Sequence, residues 1–363
     1  MEDKKIIPLF KPSIGEAEVK ALREVFKTGW LGMGPKTAEF EAAFSKYVGT
    51  RYGSGTNSCT AALHLALAGS NIGKGDKVLV PSLTFVSTVH AILYVNAIPV
   101  FVDIEPDTLC MSVADLEHKC STCHPSAILA VHYGGHPCDM DEIMSIAKKQ
   151  GLIVIEDAAH SCGAEYKGRK IGSIGDATCF SFHAVKNLTT GDGGMVTTNR
   201  SEIANRLNSL RWLGIDKGTW ERTEEAGLAK YSWYYEVKEL GYKYQMNDIA
   251  AAIGLVQLQK LDKLNARRRH IVEKYNESFK EIKWIETPVE REYVQSAWHN
   301  YVIKTHYRDE LNLYLKEKGI TFQDEVETPI AEKIWTQLLT LPLYPDMTDE
   351  ELNYIIEWVR KFK

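Results

Sequence analysis

The chain has 363 residues, 44% of them hydrophobic and 25% charged, enough for one large core and a smaller satellite, with the make-up of an ordinary globular protein. Its 43 basic and 48 acidic residues leave a net charge of −5, which argues against nucleic acid or an anionic membrane as a partner. No apolar run approaches the roughly 18 residues of a bilayer span, and the polar start Met1–Lys5 lacks a signal-peptide core, so a cytoplasmic location is expected.

From about Ile14 to Thr198, helical patterns alternate with short apolar runs. Runs of strand length fall at Lys77–Val80, Ile98–Asp103, Ala127–His132, Leu152–Asp157, Ala177–Phe182 and Gly193–Thr198. Helical patterns at Cys59–Ala68, Val86–Val95 and Met140–Lys149 lie between most of them. This alternation predicts an α/β layer structure with a mixed, mostly parallel sheet flanked by helices. Several runs end on Thr84, Asp103, His132, Asp157 or Phe182-His183, at the strand ends where open α/β sheets gather ligands. Past Arg200 the character changes. A helix is expected over 203–213, then an aromatic segment (Trp220, Tyr231, Trp233, Tyr234, Tyr235), then a long helix from Met246 to about Phe279. A strand at Trp298–Thr305 and helices at Asp309–Lys318 and Asp349–Lys361 complete a small α+β cap. The expected division is 1–255 for the large α/β domain and 256–363 for the small one, with the N-terminal segment packing on the small domain.

Seven cysteines at irregular spacing do not form a disulfide framework. Cys120 and Cys123, with His118 and His124 close by, hint at zinc, but no second ligand pair follows, and no metal is expected. Gly53-Ser54-Gly55 followed by Ser58 is a partial dinucleotide fingerprint with no clear apolar strand running into it, which makes a nicotinamide enzyme remote.

Three segments carry chemistry. In Phe180-Ser181-Phe182-His183-Ala184-Val185-Lys186-Asn187, a strand delivers a lysine into a loop that becomes glycine-rich at Gly191–Gly194; most such lysines are merely exposed. Val154-Ile155-Glu156-Asp157 is a buried strand ending in a carboxylate, which could be a helix cap or the partner of a cation. Gly55-Thr56-Asn57-Ser58-Cys59-Thr60 opens an apolar helix with small polar residues, where unpartnered amides and the helix dipole favour an anion.

These segments, in this order and spacing, resemble the DegT/DnrJ/EryC1/StrS family of sugar aminotransferases. The resemblance runs nearly end to end, through Ile7–Pro12, Thr28-Gly29-Trp30-Leu31, Pro81–Phe85, Gly241–Asp248 and Leu341–Pro345. It implies a fold-type-I transferase using pyridoxal 5'-phosphate (PLP), with Lys186 forming the Schiff base and moving the α-proton. Asp157 would pair with the pyridine nitrogen, Phe85 stack on the ring, and His160 lie near the 3-oxygen. Ser58, the Cys59 and Thr60 amides and the Ser181 hydroxyl would hold the phosphate, and Asn187 would belong to the cofactor set. Lysine at 186, where related dehydratases carry histidine, implies transamination, and His183 resembles members that aminate C4 of a nucleotide-linked keto-sugar. Glutamate as donor and a homodimer with a shared active site follow from the same resemblance. A small phosphorylated ketone is the alternative substrate, and a non-catalytic PLP-binding regulator the alternative function.

Two departures bear on the substrate. Lys243 stands where the family places the asparagine that reaches the partner's cofactor phosphate, and could bind that phosphate as a point charge or contact a substrate anion instead. After Gly319-Ile320 the chain runs through Thr321–Glu327 directly to Pro329-Ile330-Ala331-Glu332, without the family's long loop, which implies a differently walled pocket.

Overall fold

The computed structural model describes residues 6–215, 235–321, 334 and 336–363. The aromatic segment, Tyr235 apart, and the shortened stretch before Glu332 lie outside them. In chain order the strands are β1 (Tyr52–Thr56), β2 (Lys77–Pro81), β3 (Ile98–Val102), β4 (Ala127–Val131), β5 (Ile153–Asp157), β6 (Glu165–Tyr166), β7 (Arg169–Lys170), β8 (Ala177–Ser181), β9 (Gly194–Thr198), β10 (Val294–Gln295), β11 (Tyr301–Lys304) and β12 (Leu338–Leu341). The helices are α1 (Glu16–Thr28), α2 (Pro35–Val48), α3 (Cys59–Gly69), α4 (Val86–Tyr94), α5 (Val113–Cys123), α6 (Met140–Gln150), α7 (Ser201–Leu210), α8 (Asp248–Phe279), α9 (Arg308–Glu317) and α10 (Asp349–Arg360).

Seven strands form one sheet in the order β3-β2-β4-β5-β8-β9-β1. Only β9 runs against its neighbours, so β2, β4, β5 and β8 bring their carboxyl ends to one edge and β9 begins there. The central strands are covered on both faces, which is why they read as largely apolar runs. Alternate side chains divide between two cores. Val78, Leu129, Ile155 and Val196 pack with α3, α4 and α7, while Leu79, Ile128, Val154 and Phe180 pack with α2, α5, α6 and α8. Each such leucine or valine, fully buried, contributes about 1.5–3 kcal/mol. Helix α3 is apolar on every side and lies wholly inside, with Leu63, Leu65 and Leu67 fully buried.

Strand β1 is the element the apolar pattern does not reveal: the glycine-rich stretch is itself a strand at the sheet edge. A Cβ on Gly53 would run into the Ser45 hydroxyl of α2, so close helix packing requires the glycine there.

Helix α8 has 32 residues and is roughly 48 Å long. It packs on α1 and α2 near its start and carries Ile271, Tyr275 and Phe279 into a third core with Tyr301, Leu339 and Ile355. Residue 255 falls within this helix. At its first turn the buried Asp248 accepts hydrogen bonds from the Gly34 and Thr37 amides at 2.9 Å each, supplying the side-chain cap that Gly34 cannot give α2. Ile7 joins the third core, its amide donating to the Gly319 carbonyl at 2.8 Å. Among the described residues no helix is long and apolar enough to cross a membrane.

Candidate active site

The edge where the parallel strands end collects the polar residues. Asp157 closes β5 and is 4% exposed. Its carboxylate accepts from Thr88 Oγ1 at 2.8 Å and from the Ala159 amide at 3.1 Å, and Thr84 donates to Thr88 at 2.8 Å. Burial raises the Asp157 pKa, opposed by these hydrogen bonds and by the nearby Lys186. A buried carboxylate with this balance is suited to a cation placed against it.

Ser181 ends β8 opposite Gly194 of β9, and Gly194 lies directly under the start of α3. A Cβ on Gly194 would come within 2.7 Å of the Ser58 carbonyl and 2.8 Å of the Cys59 nitrogen, so only glycine leaves this cradle open. Ser58 caps α3, its hydroxyl accepting from the Ala61 amide at 3.1 Å. Cys59 and Thr60, first in the helix, have no carbonyl one turn back for their amides. Ser181 stands at the end of β8, one strand away from Asp157 at the end of β5.

Lys186 follows β8 in a half-buried loop, its Nζ 3.3 Å from Nε2 of His299. His160, just after β5, accepts the Gly134 amide on Nδ1 at 3.3 Å, leaving Nε2 as its donor when neutral. Burial, and then the Lys186 charge, holds its pKa well below the usual histidine value. Phe85 stands at the start of α4 and is 67% exposed.

Other expected residues sit differently. The Asn187 side chain is taken up by Asn265, the Ala297 carbonyl and His299, and His299 connects it to Lys186. Lys243 Nζ lies 3.3 Å over the Trp212 ring. Of the strand-end residues, His132 is bound to Glu156 and Asp103 caps its own loop through the Ile104 amide. Cys120 is buried in the core beneath α5 while Cys123 is partly exposed at the helix end, and the described residues hold no cluster of three metal-ligating side chains.

Sequence reasoning missed Thr88 and His299. Thr88 lies four residues past Thr84, and the two hydroxyls pair there. The pattern at Trp298–Thr305 predicts His299 within a strand. That strand starts at Tyr301 because Trp298 adopts φ +48°, and the His299 and Asn300 amides turn to the Gly134 carbonyl instead.

The family model for the DegT/DnrJ/EryC1/StrS aminotransferase family matches residues 12–360. The spore coat polysaccharide biosynthesis protein SpsC of Bacillus subtilis is 41% identical, covering 98% of this chain and 96% of its own length. Spr1654 from Streptococcus pneumoniae, solved in a PMP-form, superposes with TM-score 0.90 at 31% identity, over 99% of this chain and 98% of that one. The sugar aminotransferase CalS13 from Micromonospora echinospora gives TM-score 0.89 at 28% identity, covering 98% and 100%. The architecture is that of the fold-type-I PLP transferases.

The residues present fit PLP. The glycine cradle and free first-turn amides suit its phosphate, and the buried carboxylate of Asp157 suits its ring nitrogen. The chain therefore belongs to the DegT/DnrJ/EryC1/StrS aminotransferase family and is a PLP-dependent aminotransferase.

Proposed function

We propose that this aminotransferase transfers an amino group from glutamate to the ketone of a nucleotide-linked keto-sugar, at C4. The reading rests on one observation above the rest: a lysine, Lys186, occupies the loop after β8, its amine held at the strand-end edge that also carries Asp157. Two relatives support a sugar substrate, SpsC being named for a coat polysaccharide and CalS13 as a sugar aminotransferase. His183, three residues before the lysine, supports C4.

PLP, when bound, supplies the electron sink that makes the α-proton of the bound amine acidic. The chain's own groups do the rest. Lys186 Nζ takes the α-proton from the donor side and returns a proton on the acceptor side. Asp157, aimed by Thr88 and the Ala159 amide, keeps the ring nitrogen protonated, since an anion beside a cation favours the charged form. His160, with Nε2 as its donor, would hold the 3-oxygen. Phe85 would cover the ring, and Ser58, Ser181 and the Cys59 and Thr60 amides would hold the phosphate. Lys243 would serve a second copy of the chain, as a point charge for the partner's cofactor phosphate.

The test has two stages. Glutamate added to the PLP-loaded protein should shift an absorption band near ~420 nm to one near ~330 nm. Nucleotide-linked 4-keto-sugars should then restore the first band and yield an aminated sugar. Conversion by glutamate with no response to any keto-sugar nucleotide would overturn the substrate, and Lys186→Ala with normal turnover would overturn the mechanism.

A further inference from the structure

We propose that His299 is a positioning residue for Lys186: a neutral imidazole locked with Nδ1 protonated, its Nε2 lone pair fixed as a hydrogen-bond acceptor for the lysine amine.

The tautomer is set by two backbone carbonyls. Asn265 donates its Nδ2 to the Cys162 carbonyl at 3.0 Å, so its Oδ1 must accept, and it accepts from Asn187 Nδ2 at 2.8 Å. The same Asn187 nitrogen donates to the Ala297 carbonyl at 2.7 Å. Both protons of that amide are thereby used, and its Oδ1 can only accept. It lies 3.2 Å from His299 Nδ1, which must carry the proton. Nε2 is left bare, 3.3 Å from Lys186 Nζ.

The relay ends on amides and carbonyls, none of which takes up a proton at working pH. His299 therefore differs from a histidine backed by a carboxylate: it accepts a hydrogen bond without becoming a base in its own right. The charged and titratable groups around it agree. Burial first, then Lys186, His160, Arg268 and His183, all oppose an imidazolium there. The ring itself is held by stacking on Phe10, with centroids 5.2 Å apart and planes at 5°, and by His160 at 4.4 Å. This arrangement serves the proton transfers of the proposed reaction, on which the inference rests. Each time Lys186 becomes an ammonium, a fixed acceptor steadies it and returns Nζ to one place.

The test reads the lysine directly. The full-length chain freed of cofactor is acylated with a trace amine reagent across pH, and labelling of the Lys186 peptide is followed by mass spectrometry. His299→Phe keeps a stacking ring and removes the lone pair, and His299→Gln restores an acceptor. The Lys186 half-point should fall by roughly one pH unit in the Phe variant and stay near wild type in the Gln variant. An unchanged half-point in His299→Phe would overturn the proposal. A raised one would too, since it would mean that an imidazolium had been removed. An equal fall in both variants would assign the effect to burial rather than to the lone pair. A wild-type protein that titrates as expected here yet aminates no sugar would sink the proposed substrate and leave this inference standing.

Discussion

Asp157 carries opposite consequences in the empty and the loaded protein. Without cofactor, burial raises its pKa. A carboxyl raised by folding contributes stability only below its unfolded pKa, and that contribution is lost as pH rises through the folded value. Above that value the empty protein keeps a costly buried carboxylate, which becomes favourable once a ring cation sits against it. Asp157→Asn should melt no lower than wild type when cofactor-free at pH 7, and the gain in melting temperature on adding PLP should shrink. Turnover should fall by about 10²–10³-fold, the size expected when a preorganised electrostatic partner is lost. A cofactor-free variant melting well below wild type would show that the carboxylate is structural. Thr88→Val probes the same point more gently. It removes one donor of about 1 kcal/mol, so steady-state turnover should drop about tenfold or less, with the fold intact.

At the scale of elements, one buried carboxylate ties three segments beneath the site. Glu156 accepts from His132 Nε2 at 2.9 Å, from Thr178 Oγ1 at 2.6 Å and from the Gly175 amide at 2.8 Å. The Cys138 amide donates to His132 Nδ1 at 3.1 Å and so fixes Nε2 as the donor. Burial would raise the Glu156 pKa, but these donors outweigh it and hold it below the ordinary value. A depressed carboxylate stabilises the fold above its unfolded pKa, and that stability is lost as pH falls through the folded value. Glu156→Gln turns one acceptor into a donor facing another donor, a loss of about 1–3 kcal/mol. Denaturant melts should show the deficit at pH 7 and a narrowing gap as pH drops below the carboxyl range. A gap constant with pH would mean that the charge plays no part.

The same scale explains what was legible beforehand. β2, β4, β5 and β8 announce themselves because both their faces are covered and most of their positions are apolar. The lysine, the aspartate and the helix start were legible because each stands at a strand end or cap. β1 was not, since its glycines answer to α2 across the sheet rather than to any local pattern. Nor was His299, whose place depends on the positive φ of Trp298 and on a relay joining residues 187, 265 and 297.

For the whole molecule, the open question is what covers the surface beside the site. Phe85, Val86, Leu93 and Tyr94 of the α4 region, with Ile98 and Phe101 of the edge strand β3, are each between 42% and 67% exposed. Grouped apolar exposure of this kind marks an interaction surface. It adjoins Phe85, which the proposed mechanism places on the cofactor ring, so covering it with a second copy would also close the active site. The expected species by sedimentation is twice 40.9 kDa. Val86→Asp places a charge in this surface without disturbing the core, because Val86 is 54% exposed and would be desolvated only on association. It should shift the protein toward monomer and weaken PLP retention together. Leu313→Asp, at a 66% exposed position on α9 away from this surface, should leave both unchanged. Dissociation with full cofactor retention would mean that each copy completes its own site, and Lys243 would then have no partner phosphate to serve.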